Sequence, residues 1–131
     1  MSHFGTGLLL CEDLLMGSKV TGTAQALGLT VRQVRDPAAL LRLATETSPA
    51  CILLDLHHPG LDAPNLLAEL AQSGSPAPRV VGFGSHVDAA LLNAARQAGC
   101  DPVWPRSKFF EQLPEMLPRW LGGSESSPPS A

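Results

Sequence analysis

Basic residues are scarce in this chain: nine Lys and Arg stand against twelve Asp and Glu, for a net charge of -3. Charge of either sign is sparse too, at 16% against roughly 25% in typical domains. Nucleic acid is therefore not an expected partner, because neutralising phosphates needs clustered Lys and Arg. No apolar run approaches the ~18 residues of a membrane-spanning helix, so no membrane partner is expected either. The N-terminus lacks a basic n-region, and no signal peptide is expected. There are only three cysteines, Cys11, Cys51 and Cys100. An odd count without CxxC spacing implies neither a zinc finger nor a disulfide framework. They sit inside apolar runs and read as small reduced core residues, which points to the cytoplasm. No GxSxG occurs, and Gly82-Phe83-Gly84 is a GxG without the third glycine. Neither a nucleophile elbow nor a dinucleotide loop is supported. Ser85, His86 and Asp88 crowd one helix start too closely to form a nucleophile triad.

What the chain does have is apolar material in short runs. Hydrophobic residues make up 44% of 131 residues, enough for one core. Gly7-Leu8-Leu9-Leu10-Cys11 reads as a strand buried on both faces. A helix follows from about Leu14 to Leu27, with Gly28 suited to its C-terminal cap and Gly17 and Gly22 weakening it. Leu29 to Val34 is a second strand, and Asp36-Pro37 caps a second helix to about Thr47. Cys51-Ile52-Leu53-Leu54-Asp55 is a third strand ending on a carboxylate, followed by a His57-His58-Pro59-Gly60 turn and a helix from about Pro64 to Ser73. Arg79 to Phe83 is a fourth strand, and Ser85 with Asp88 resembles a capping box for a helix ending at Gly99. A fifth strand lies around Pro102 to Trp104. The last helical stretch is interrupted by Pro114, which predicts a kink or a fresh helix start. Residues 1–121 form one domain, and the polar tail 122–131 is expected to be disordered.

Strands alternating with helices predict an α/β fold, a parallel sheet covered on both faces. For five strands the flavodoxin-like, doubly wound order 2-1-3-4-5 is the natural choice, with ligands at the carboxyl ends near strands one and three. Glu12 and Asp13 follow strand one directly, and Asp55 ends strand three. Three carboxylates are thus expected to converge on one pocket. Such a pocket suits Mg²⁺, which takes one or two carboxylates and keeps several waters. Capping of the first helix by Glu12 or Asp13 is the competing structural role.

The stretch Leu53-Leu54-Asp55-Leu56-His57-His58-Pro59-Gly60-Leu61-Asp62 resembles the phosphoacceptor strand and turn of response-regulator receiver domains. Cys11-Glu12-Asp13 is similar to that family's acidic pair, and Ala98-Gly99-Cys100-Asp101 to the segment leading into its fifth strand. The resemblance spans roughly residues 6 to 121. It implies that Asp55 accepts a phosphoryl group from a histidine kinase or phosphotransfer protein. It also implies that Glu12, Asp13, Asp55 and the backbone carbonyl of His57 hold weakly bound Mg²⁺. Two positions depart from the family. Gly84 stands where a Ser or Thr is usual, with Ser85 one residue later, and Arg106 stands where a lysine is usual, with Lys108 nearby. Arginine keeps the charge but brings a planar fork. Against the family pattern the acceptor looks intact and the read-out altered.

The chain is therefore expected to be a stand-alone, non-enzymatic two-component signalling phosphoprotein. It would act on an unknown output protein or through a homodimer. A pseudo-receiver that serves as an interaction module without phosphorylation is the alternative. Asp55-x-His57-x-x-Gly60 also fits a cobalamin-binding pattern, but that pattern belongs after a first strand, not a third. His57, His58 and His86 fall on loops at the same edge and are candidates for Zn²⁺ or Mn²⁺. Adjacent histidines on a turn point apart, which weighs against a shared metal.

Overall fold

The computed structural model describes residues 4–72 and 77–122; the expected tail, residues 123–131, lies outside them. The elements follow as β1 (Gly7–Leu10), α1 (Leu14–Ala26), β2 (Val31–Val34), α2 (Pro37–Thr47), β3 (Cys51–Asp55), α3 (Ala63–Ala71), β4 (Arg79–Gly84), α4 (Ala89–Ala98), β5 (Val103–Pro105) and α5 (Arg106–Gly122). All strand pairs are parallel, in the order β2-β1-β3-β4-β5. This is the predicted doubly wound sheet. No helix among the described residues is long and apolar enough to cross a membrane.

Strand side chains alternate between faces, and the core divides accordingly. Leu9, Cys11, Cys51, Leu53, Val81 and Phe83 pack under α1 and α5. Leu8, Leu10, Ile52, Leu54 and Val80 pack under α2, α3 and α4. The central strands are apolar on both sides because both sides are covered. Phe83 stacks on Phe109 at 4.2 Å between centroids, which fixes α5 against β4. All three cysteines are buried and free, as their apolar settings predict.

Aspartate starts four of the helices. Asp13, Asp36, Asp62 and Asp88 cap α1, α2, α3 and α4, each accepting backbone N–H groups of the first turn. Asp88, not Ser85, thus begins α4, and the expected Ser85 cap does not form. The Ser85 Oγ makes only a long 3.4 Å contact with the Val87 N–H. At α5 the expected break at Pro114 is absent: one helix runs through Pro114 and Pro118 to Gly122. Phe109, Leu113, Leu117, Trp120 and Leu121 recur at helical spacing and are buried, and that continuous face holds α5 together where two N–H groups are missing. Gly122, assigned to the tail on sequence, closes this helix.

Candidate functional site

β1 and β3 lie side by side, with Leu10 opposite Leu54, so their carboxyl ends form one edge. Asp55 ends β3 with only 7% of its surface exposed, while the other five aspartates are exposed. Its Oδ1 accepts the His57 N–H at 3.0 Å, and its Oδ2 accepts from the Cys11 thiol at 3.8 Å. Burial, foremost, pushes the Cys11 thiol above its ordinary value; the hydrogen bond to the Asp13 backbone opposes this, and the Asp55 and Asp13 carboxylates add to the rise. Cys11 is therefore protonated at neutral pH, its single S–H set between the Asp13 carbonyl at 3.5 Å and the Asp55 carboxylate.

The three acids do not converge as expected. Asp13 turns into its own helix, where Oδ1 accepts from Leu15 N–H at 2.9 Å and Met16 N–H at 3.0 Å. Glu12 is exposed. Among the described residues no three His, Cys, Asp or Glu side chains are gathered to hold a metal ion. The Cys11 carbonyl is occupied as well, accepting from the Gln33 side-chain amide at 2.8 Å. That amide sits in space a Cβ at residue 17 would fill, which explains the glycine inside α1. Helix propensity alone makes Gly17 look only like a defect.

The histidines are structural partners rather than a ligand set. His58 is buried, accepting the Gly60 N–H on Nδ1 at 3.0 Å and donating from Nε2 to the Arg35 carbonyl at 2.7 Å. It ties the β3–α3 turn to the end of β2. The His57 Nε2 accepts the Ser85 N–H at 2.8 Å, and His86 is exposed. Both ring nitrogens of His58 and the Nε2 of His57 are committed, and among the described residues His57 and His58 are not gathered into the Zn²⁺ or Mn²⁺ site weighed on sequence.

Gly84 ends β4 without a hydroxyl, and Ser85 follows it into the loop. Arg106 opens α5 and lines a cleft of about 430 Å³ between α1 and α5, shared with Asp13, Lys19 and Phe110. Its Nε is buried without a hydrogen-bond partner among the described residues. The Lys108 ammonium instead lies over the Trp104 ring at 4.9 Å. Of the two cations, Arg106 shares a cleft with an edge carboxylate and Lys108 is held on an aromatic face.

No family model and no curated protein matches the sequence. Solved structures do match. The signal receiver domain of NarL from Mycobacterium tuberculosis is 21% identical, with a TM-score of 0.74 over 88% of this chain and 94% of that one. The fold is that of the response-regulator receiver domains. The Francisella response regulator 1452 receiver domain superposes with a TM-score of 0.72 at 16% identity, over 86% and 93% of the two chains. The Mn²⁺-bound form of the response regulator Rcp1 gives 0.67 at 19% identity, over 96% and 99%. For the cation that a receiver fold implies, the donors fit in kind. Two carboxylates, with water completing the shell, suffice for a hard divalent ion. Asp55 and Asp13 follow neighbouring strands, and Asp13 Oδ2 is bonded to no protein donor among the described residues.

Sequence reasoning did not find three contacts: the Cys11 thiol on Asp55, Gln33 on the Cys11 carbonyl, and the His57 ring on Ser85. The first two had a signal in the strand order, which sets residues 11, 33 and 55 at adjoining strand ends. The third had one in the glycine at the end of β4, which leaves room for a neighbour's ring.

Proposed function

We propose that this chain is a receiver-type signalling domain that accepts a phosphoryl group on Asp55 and passes the change on through protein contacts. The carrying observation is Asp55 itself. It is buried at a strand end on the ligand-binding edge of a receiver fold, and it caps no helix. A carboxylate so placed is held in position for in-line displacement. An Asp55 oxygen bonds to phosphorus as the bond from phosphorus to the donor breaks. The donor is a histidine kinase or phosphotransfer protein, or a small acyl phosphate in the test tube. When Mg²⁺ is bound, it offsets charge on the phosphoryl oxygens; Asp13, Asp55 and the His57 carbonyl would hold it, with Glu12 beside them. Arg106, opening α5, brings a fixed positive charge to the same end of the sheet. The role is that of a non-enzymatic relay in the cytoplasm, where thiols like these three stay reduced. Its outlet is an output protein or a second copy of the chain.

The test is intact mass after incubation with Mg²⁺ and acetyl phosphate. Wild type is expected to gain one phosphate and Asp55→Asn none. An unchanged wild-type mass, beside an ordinary receiver that gains phosphate, overturns the reading. A second reading, an interaction module without phosphoryl chemistry, draws on one observation: both Asp55 oxygens already have partners within the chain.

A further inference from the structure

The end of β4 has no side chain, yet it is not open. A Cβ on Gly84 would lie 3.1 Å from His57 Nε2 and 3.2 Å from Leu92 Cδ2, so the imidazole fills the space that any larger residue would claim. From there Nε2 accepts the Ser85 N–H at 2.8 Å, while the backbone N–H of the same histidine donates to Asp55 Oδ1 at 3.0 Å. The Leu56 N–H donates to the Phe83 carbonyl at 2.9 Å and brings the two loops together. One residue therefore closes the edge twice, with its backbone on the acceptor carboxylate and with its ring on the β4–α4 loop. An Nε2 that accepts is unprotonated, which places the proton of the neutral ring on Nδ1.

A phosphoryl group on Asp55 brings three acceptor oxygens and nearly two negative charges. It needs donors at this edge, and two backbone donors there are already taken. The His57 N–H is held by Asp55 itself and the Ser85 N–H by a neutral ring nitrogen. A charged oxygen is the stronger acceptor of the two.

We propose that His57 is a positioning residue that acts on Asp55 through Ser85. Its ring holds the Ser85 N–H in the resting chain and gives it up when Asp55 carries a phosphoryl group. This rests on the reading of Asp55 as the phosphoacceptor. The ring takes no part in the bond changes: an Asp55 oxygen bonds to phosphorus, the P–O bond of acetyl phosphate breaks, and acetate leaves with the electron pair. Gly84 is then no mere loss of a hydroxyl. It is the vacancy that lets a neighbouring side chain become the moving part.

Two measurements on the ¹⁵N-labelled full chain test this. In the resting protein the Ser85 amide should be protected from solvent exchange, and His57→Ala should lower that protection about tenfold, the worth of one hydrogen bond. With Mg²⁺ and acetyl phosphate, His57→Ala should gain phosphate about 3- to 10-fold faster than wild type, because no bond must first be broken. His57→Gln, whose side-chain carbonyl can accept the same N–H, should return the rate towards wild type. Gly84→Ala, which crowds the ring without removing it, should mimic His57→Ala. Equal Ser85 protection in wild type and His57→Ala overturns the inference, and so does an equal or slower rate in the variant. If neither protein gains phosphate, the phosphoacceptor reading falls and this inference falls with it. If both gain phosphate at one rate, only the inference falls.

Discussion

Leu53 and Asp55 stand two residues apart on β3, on the same face of the sheet, and they obey different rules. Leu53 is wholly buried among Leu9, Val81 and other apolar neighbours, and every contact available to it is of one kind. Asp55 is nearly as buried, but its surroundings are polar groups with more than one admissible partner each. Asp13 can serve a helix or a cation, the Ser85 N–H a ring or an anion, the His57 ring a backbone or a metal. Packing in the interior follows from apolarity, whereas order at the edge follows from competition among donors and acceptors.

The sharpest way to separate the two is to cut each in turn. Leu53→Ala leaves a cavity between two covered faces, and is expected to cost roughly 2–5 kcal/mol of unfolding free energy. Urea unfolding with an unchanged m-value would measure it. A cost below that of Asp55→Asn would reverse the comparison, making the edge carboxylate the structural residue.

The interior has a second signature at high pH. Burial pushes the Cys51 thiol from 9.0 up to about 12, the nearby Arg79 charge opposing this, and burial pushes Cys100 to about 11. In the unfolded chain these thiols ionise at ordinary values, so above about pH 9 the unfolded state has lost protons the native state keeps. Stability is then lost as pH rises from 9 through 11 to 12. Thermal melts across that range should show a falling limb that flattens in Cys51→Ala. The apolar edge-to-edge packing makes no such demand on acid, and the two thiols should contribute nothing below pH 8.

Legibility followed the same division. The sheet order, the two covered faces and the buried cysteines were readable because apolar runs of strand length admit few arrangements. The carboxyl edge was readable as a place, since Glu12, Asp13 and Asp55 all follow strand ends. It was not readable as a set of bonds. Aspartate is both a cation ligand and the best helix cap, and at Asp13 the cap prevails in the chain as it stands. The Ser85 cap failed for a related reason, because Asp88 stands nearer the helix it starts. Pro114 misled because a proline forbids one hydrogen bond but does not remove a buried apolar face.

Asp13 can be made to reveal which of its two roles matters. Asp13→Ala removes the acceptor for two first-turn N–H groups and should cost about 1 kcal/mol. Asp13→Asn keeps a capping oxygen and should be nearly neutral in stability while weakening Mg²⁺ binding by calorimetry. Equal Mg²⁺ binding by wild type and Asp13→Asn would confine Asp13 to the helix.

Asp55→Asn should have a small effect on stability and the largest on chemistry. The amide oxygen can keep the His57 N–H that Asp55 Oδ1 now accepts at 3.0 Å, so the turn after β3 retains its anchor. The substitution also removes a charge from a site only 7% exposed, and an uncompensated buried charge is costly. Against that, the Cys11 thiol now faces an amide in place of a carboxylate oxygen, a weak contact at 3.8 Å to lose. The two changes oppose each other, and in metal-free buffer the variant is expected within about 1 kcal/mol of wild type. Added Mg²⁺ should raise the wild-type melting temperature and leave that of Asp55→Asn where it was, since a ligand stabilises only the state that binds it. A variant that melts far below wild type in both buffers would show Asp55 to be part of the scaffold.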